Sequence, residues 1–391
     1  MTNIALILVN NTQLGGAERR FARAYTGLRR RNVRVALVIN ESLLAKLVGS
    51  GVLEPDNQPA LVLREPFGAA VRALLRGWPQ TGGARASLAF WLSKLDYVLG
   101  CITITGWLLL HRPRVMHLVL GGVYLAFPRQ LMAGAPASVV SVVCPSIQQM
   151  VGAPVGERLY RTALQRAAAV DALTEPIRNE VVRLGVRDER VHVSPGSFVD
   201  SDRFAPSDMR CRWIVFTGRL VEEKSPMLFV EACAEVHRRT RDRMSDVRYI
   251  VSGDGPLRQD MEIAAERHGL SAVMTIGWRE RVEDILPHAL VFVSLQRMDN
   301  YPSQALLEAM ACGCAVVATE VGQTWKLVDE HTGFRVAMKA SAVADAVVWL
   351  LDNPEQAVKY GANGRDRVLK EQSLDTYLNY LQQVYDDASR V

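Results

Sequence analysis

Two hydrophobic patterns alternate along this chain. Short runs of β-branched and aliphatic residues are separated by longer segments whose apolar positions recur every three or four residues. IALILV (4–9), VRVALVI (33–39), RVMHLVL (114–120), ASVVSVV (137–143) and AVDALT (169–174) are nearly continuous apolar runs. Such runs predict strands buried on both faces, as in a parallel sheet. Between the first two, QLGGAERRFARAYTGLRRR (13–31) reads as a loop followed by a helix. The region from 50 to 85 is less regular, with Gly and Pro clusters, and reads as an excursion over the surface. VHVSPGSFVDSDRFAP (191–206), rich in Pro, Gly, Ser and Asp, reads as a linker. The alternation then restarts. RWIVFTG (212–218), DVRYIVSGDGP (246–256), AVMTIGW (272–278), LVFVSL (290–295), CAVVAT (314–319) and TGFRV (332–336) read as strands. PMLFVEACAEVHRR (226–239) and the tail LDTYLNYLQQVYDDA (374–388) carry apolar residues at helical spacing.

Strands alternating with helices predict parallel βαβ units, hence an α/β protein. Two such sets imply two Rossmann-like domains facing across a cleft, 1–198 and 199–372, with a terminal helix over 373–391. The length of 391 residues agrees, since single cores stop growing at about 250–300 residues.

Composition and charge refine this picture. The longest uncharged apolar run, YVLGCITITGWLLL (97–110), is too short for a bilayer span of about 20 helical residues. It fits either a core element or a segment lying in a membrane interface. The start, MTNIALILVN, has no basic leader and no small-residue cleavage site, so no secretory signal is expected. The six cysteines show no C-x-x-C spacing, and Cys312 and Cys314 have no histidine nearby. Reduced, buried thiols in a cytoplasmic protein are expected, with no metal site. The net charge of +5 is uneven: residues 1–200 hold 23 Lys and Arg against 13 Asp and Glu, and the remainder 23 against 28. The basic half, with RRFARAYTGLRRRNVR (19–34), suits an anionic membrane surface or a phosphorylated acceptor as well as a solvated helix face. No base-stacking aromatics interleave with these arginines, so nucleic acid is not expected as a partner.

Three stretches carry candidate chemistry. In FTGRLVEEKSP (216–226) a strand ends, Gly218 turns the chain, and Arg219 and Lys224 follow. Ligands of open α/β sheets sit at the carboxyl ends of strands, and two cations there suit a diphosphate. Solvated side chains would show the same pattern. SGDGPL (252–257) is either a plain turn or a place where backbone approaches a ligand closely, at Gly253. In RMDNYPSQALLEAMACGCAVVAT (297–319) a polar mouth opens an apolar helix. A helix starting near Ser303 would point free N–H groups at an anion, or Ser303 would simply cap it. Glu308, inside the apolar QALLEAMA, needs a partner: a sugar diol or a structural ion pair.

These stretches, taken in order with SPGSFVDSDRF, IGWRERVEDILPHA and TGFRV, resemble the donor domain of retaining glycosyltransferases of family 4, which have the GT-B fold. The resemblance covers most of 191–337. The first half matches more loosely, through a first strand and the loop Gly15-Gly16-Ala17-Glu18, which resembles the family's glycine loop near the donor diphosphate. The last helix resembles the one that crosses back to the first domain. The resemblance implies transfer of a sugar from a UDP- or GDP-sugar to a hydroxyl of a glycan or lipid-linked acceptor. The nucleotide sugar would be the co-substrate, with no cofactor and no metal. It implies that Arg219 and Lys224 hold the diphosphate, that Glu308 binds the ribose, and that backbone near Trp278 and Arg279 meets the base. Asp299, Asn300, Tyr301, Pro302, Ser303, Gln304 and Ala305 would grip the sugar and phosphates.

Three departures stand out. Where the family has a glutamate eight positions before Glu308, this chain has Asn300, preceded by Asp299, and either residue suits the role. After the CAVVAT strand it has GQTWK (322–326) in place of the usual GG and Glu. The family's first domain often has a histidine at the anomeric centre. His117 matches by position, but a buried strand histidine matches equally, and Cys144 stands where a second would fall. These departures leave a non-catalytic nucleotide-sugar-binding partner subunit as the alternative. D-S-D at 200–202 fits an Asp-rich turn rather than a metal motif, and NNTQLGGAE lacks the dinucleotide pattern G-x-G-x-x-G.

Overall fold

The computed structural model describes residues 3–9, 15–54, 56, 58–67, 84–120, 134–143, 154–277 and 281–390, with backbone alone at 84–94, 120 and 154–156. The chain divides into two compact units, 1–195 with 377–391, and 196–376.

In the first unit the strands are β1 (Ile4–Val9), β2 (Val35–Asn40), β3 (Leu61–Leu63), β4 (Val115–Leu120), β5 (Ala137–Val142), β6 (Ala169–Ala172) and β7 (Val191–Val193). They form one sheet in the order β3-β2-β1-β4-β5-β6-β7, with every pair parallel. The helices are α1 (Gly16–Arg30), α2 (Glu41–Gly49), α3 (Ala84–His111), α4 (Pro154–Arg166) and α5 (Glu175–Arg183). Every residue of β1 is buried because helices cover both faces. Phe21 and Tyr25 of α1 and Leu43 and Leu47 of α2 pack on Leu6, Leu8 and Leu37. Ile104 and Leu108 of α3 and Tyr160 of α4 pack with Ile7, Val38 and Leu118. The region 50–85 thus contributes an edge strand, β3, and is more than a surface excursion. The uncharged run 97–110 lies within α3.

In the second unit β8 (Cys211–Thr217), β9 (Arg248–Ser252), β10 (Met274–Gly277), β11 (Ala289–Ser294), β12 (Ala315–Thr319) and β13 (Gly333–Val336) form a parallel sheet in the order β10-β9-β8-β11-β12-β13. Its helices are α6 (Pro226–Thr240), α7 (Arg258–Arg267), α8 (Gln304–Ala311), α9 (Ala340–Asp352) and α10 (Pro354–Glu371). Each sheet is mixed in strand sequence around a central reversal, which places loops from different strands side by side at the carboxyl edge. The last helix, α11 (Leu374–Ala388), carries the chain from the second unit back into the first.

The stretch 191–206 is ordered, not a free linker. Val191–Val193 is β7, and Val199 N–H donates to the Gln372 carbonyl (2.9 Å). The units therefore divide at 195/196 and 376/377, against the 198/199 and 372/373 expected from composition.

Candidate functional site

Within the second unit, the loops after β8 and β9 lie backbone against backbone. Gly218 N–H donates to the Ser252 carbonyl (3.1 Å), and Leu220 N–H to the Asp254 carbonyl (2.9 Å). A Cβ on Gly253 would sit 2.0 Å from the Gly218 carbonyl oxygen, and Gly218 itself has φ +146. The glycines of FTGR and SGDG are thus required by each other: only bare backbone lets both turns share this edge.

Arg219 emerges exposed from the first turn. Lys224 follows a short 3-10 turn over Glu222–Lys224 and is half-buried, with its Nζ donating to Gln296 Oε1 (2.9 Å). Burial, and then the neighbouring Arg219 charge, pull the Lys224 ammonium down to about 8, while Glu223 acts the other way. The two cations are close enough to repel, which favours an anion between them. Gln296 was not foreseen from the sequence. Its N–H donates to Thr319 Oγ1 (2.8 Å), and that hydroxyl returns a bond to the Gln296 carbonyl (2.9 Å). A polar residue directly after the apolar run LVFVSL was the available signal. The residue after Lys224, Ser225, is left-handed (φ 47) and buried, and its hydroxyl has no partner among the described residues. Such a conformation costs a non-glycine residue about 1–2 kcal/mol, so the turn carrying Lys224 is strained.

The stretch 299–308 lies at the carboxyl ends of β11 and β12. Asp299 and Asn300 are both exposed but differ in what they touch. Asp299 Oδ1 accepts the N–H groups of Tyr301 (3.1 Å) and Gln323 (3.2 Å), and Oδ2 accepts Gln323 Nε2 (3.2 Å). A Cβ on Gly322 (φ +51) would fall 2.2 Å from the Asp299 carboxyl carbon. The two departures, Asp299 and Gly322-Gln323, therefore complement one another. Asp299 is spent on the loop, while no described hydrogen bond engages Asn300, which lines a small pocket with Ser294, Gln296, Tyr301, Ser303 and Thr324.

Tyr301 precedes a cis peptide to Pro302, and burial raises its phenol above the usual value. Pro302 packs on Gly196, where a Cβ would lie 2.7 Å from Pro302 Cγ. Ser303 is the N-cap of α8, yet its side chain makes no capping bond, and the first N–H groups of the helix remain unsatisfied by it. Ala305 packs partly on the core beneath. Glu308 is half-buried, and its Oε1 accepts Gln304 Nε2 (3.0 Å). The same amide donates to the Phe198 carbonyl (3.3 Å), and Gln304 Oε1 accepts the Ser197 hydroxyl. Glu308 thus has a neutral amide beside it, and Gln304 positions it.

Other expected site residues fall elsewhere. His117 is in the core of the first unit, at 0% exposure. Its Nδ1 meets Tyr385 Oη (2.8 Å) and its Nε2 meets Ser141 Oγ (2.7 Å); Ser141 and Tyr380 both donate to Asp171. Ser141 gives its hydrogen to Asp171, so Nε2–H of His117 must be the donor and Tyr385 must donate to Nδ1. Both ring nitrogens are taken, so His117 is a structural residue and not one that meets substrate. Burial first, opposed by Asp171 and assisted by Arg20, lowers it to about 4. Gly15 is the N-cap of α1, and its N–H donates to Glu18 Oε2 (2.9 Å). Gly16 follows, exposed at the first helical position. Trp278 and Arg279 lie outside the described residues. Asp200 Oδ1 accepts Arg203 N–H (3.3 Å), the turn expected of D-S-D.

Two parallel-sheet Rossmann-like units define the GT-B class of fold. A model described as glycosyl transferases group 1 matches residues 211–353, and one described as a glycosyl transferase 4-like domain matches 15–196. The chain belongs to glycosyltransferase family 4. It is 29% identical over 255 residues to alpha-D-kanosaminyltransferase of Streptomyces kanamyceticus, covering 59% of this chain and 64% of that protein. To alpha-maltose-1-phosphate synthase of Mycolicibacterium smegmatis it is 28% identical over 253 residues, covering 56% and 63%. The chain thus spans less than two thirds of these relatives. Among solved structures it is similar in fold to Anabaena HepE in complex with UDP and glucose, with TM-score 0.70, 15% identity, and coverage of 99% and 100%.

Proposed function

We propose that the protein is a retaining glycosyltransferase that moves a sugar from a nucleoside-diphosphate sugar to a hydroxyl of a glycan or lipid-linked acceptor. The observation that carries this reading is the Arg219–Lys224 pair, with Gln296 holding the Lys224 ammonium at the carboxyl edge of the sheet. In the reaction the bond between the anomeric carbon and the diphosphate oxygen breaks, the acceptor hydroxyl oxygen bonds to that carbon, and the hydroxyl proton passes to the departing diphosphate. Negative charge builds on the diphosphate as it leaves. Arg219 and Lys224 stabilise that charge, and because Gln296 holds Lys224 in place beforehand, that side chain needs little reorganisation. Glu308, oriented by Gln304, accepts hydrogen bonds from the ribose hydroxyls. Asn300 and Ser303 face the transferred sugar and phosphates. No metal is needed in this scheme, because the two side-chain cations supply the charge.

HepE is a UDP-binding protein by the description of its complexes, which puts UDP first and GDP second among donors to screen. The test is turnover of nucleotide sugars by the purified protein. Arg219→Ala and Lys224→Ala should each lower kcat by about 10²–10³, as loss of one oxyanion donor does elsewhere. Ser201→Ala, outside the site, should be near neutral, and a chelator should leave turnover unchanged. Equal activity in all three variants would remove the site assignment. Binding of a nucleotide sugar with no turnover of any would point instead to a non-catalytic partner subunit. The basic residues 1–200 support a working place at the cytoplasmic face of an anionic membrane.

A further inference from the structure

The run 97–110 was open between a core element and an interfacial one. In α3 it is both. Ile104 and Leu108 are fully buried against the first sheet. The opposite side of the same helix shows Leu95, Val98, Leu99, Ile102, Leu109 and Leu110 to solvent, at 44% to 80% exposure. Their spacing of three, four and seven puts them on one stripe, about 22 Å long at 1.5 Å per residue. Monomeric soluble proteins rarely expose so continuous an aliphatic surface without using it. The stripe is suited to an apolar environment in a second respect. Between Leu95 and Leu110 its exposed polar side chain, Thr103, donates to the Leu99 carbonyl of its own helix (2.8 Å). Thr105, at the margin of the stripe, is half-buried.

Charge decides what covers it. The helix ends at His111, and Arg112 and Arg114 follow, all exposed. Arg34 is exposed at the same sheet edge, because Arg34 and Arg114 both bond Asn3 through their backbones. A second copy packed in parallel would bring the same basic rim against this one, and packed antiparallel would set the rim beside the Leu95 end of the stripe. An anionic bilayer would meet it with opposite charge, and its acyl boundary would take the stripe. Among the described residues no helix is long and apolar enough to cross a membrane, so the contact is one of lying on the surface.

We infer that the exposed face of α3, with Arg34, Arg112 and Arg114 at its rim, is the surface by which the first unit seats on an anionic lipid bilayer. The inference rests on the membrane part of the proposed function and names the surface responsible for it.

The experiment is co-sedimentation of the full chain with vesicles of phosphatidylcholine, with and without phosphatidylglycerol, at low and raised salt. The wild type should sediment with the mixed vesicles at low salt and less at raised salt. The triple variant Leu99→Gln, Ile102→Gln, Leu110→Gln should partition at least about tenfold less, since apolar area sets the interfacial term. Gln is a good helix former and these sites are exposed, so the melting temperature should hold. Leu110→Gln alone, at 80% exposure, gives a smaller loss of the same sign and guards against misfolding of the triple variant. Arg34→Ala with Arg114→Ala should remove several-fold of the salt-sensitive part. The inference is overturned if the wild type stays in the supernatant with anionic vesicles, or if the Gln variants bind as well as wild type. It is also overturned if the stripe instead holds a dimer that the triple variant dissociates. Nucleoside-diphosphate thermal shifts and donor turnover are measured on the same samples. Loss of vesicle binding with turnover intact supports the surface. Vesicle binding with no turnover sinks the enzymatic reading and leaves the surface standing.

Discussion

Lys224 shows how a single residue carries a measurable signature. It is protonated below about 8 in the free protein and neutral above, because burial and Arg219 disfavour its charge. In the proposed reaction the leaving diphosphate needs the protonated form. kcat/KM for the donor should therefore fall as pH rises through about 8. A bound diphosphate favours the cation, so the fall in kcat should lie at higher pH. A flat profile through this range would detach Lys224 from the reaction. Asp299 and Asn300 give a second residue-level contrast. Asp299→Ala removes three hydrogen bonds to Tyr301 and Gln323, all at an exposed carboxylate. It should cost about 1 kcal/mol of stability. Asn300→Ala removes no described bond within the protein and should leave stability unchanged. It should lower kcat/KM about tenfold, the worth of one hydrogen bond to a sugar hydroxyl. Denaturant melts and donor kinetics on both variants check this; a reversed pattern would return the role to Asp299.

At the scale of elements, the carboxyl edge of the second sheet depends on two turns meeting. Gly253→Ala would drive a methyl into the Gly218 carbonyl, 2.0 Å from the new Cβ. The backbone must shift, which typically costs about 1–3 kcal/mol. Because Arg219 follows Gly218, nucleotide affinity should fall together with the melting temperature. A conservative change on the same strand, Val251→Ile, should affect melting and leave affinity alone. The glycines of SGDGPL were visible in the sequence as a turn. That they exist for the neighbouring FTGR turn was not, because the two segments are distant in sequence and adjacent only through the β8–β9 pairing. The same holds for Asp299 and Gly322-Gln323, which looked like two separate departures and are one compensated contact.

The whole molecule has a discontinuous first unit: the chain leaves it at 195 and returns at 377. The return is fastened by the buried series Tyr385, His117, Ser141 and Asp171, with the half-buried Tyr380 at its end. Tyr385→Phe would leave Nδ1 of His117 buried without a donor, at a cost of about 1–3 kcal/mol. His117 also makes the fold acid-sensitive. Its native value is about 4, and its ordinary value is 6.5. Between these the unfolded chain holds the extra proton, so stability is full above 6.5 and declines as pH falls toward 4. Denaturant titrations across this range should show less decline in His117→Gln than in wild type. An equal slope in both would remove His117 from the acid response.

The sequence by itself determined the repeated βαβ layout, every strand except β3 and β7, the terminal helix and the three stretches of candidate chemistry. These depend on local periodicity and on residues near one another in the chain. It also left fair alternatives: Asp299 or Asn300, His117 in catalysis or in the core, 97–110 in the protein or at an interface. The tertiary structure put His117 in the core, tied Asp299 to its loop and showed which side of 97–110 is covered. Whether a polar side chain is spent or available depends on partners from remote segments, as Gln323 is to Asp299 and Tyr385 to His117. Which side of an apolar helix is covered depends on where the sheet lies, and α3 has apolar residues all round. Periodicity reports that a face is apolar; packing alone says what it meets.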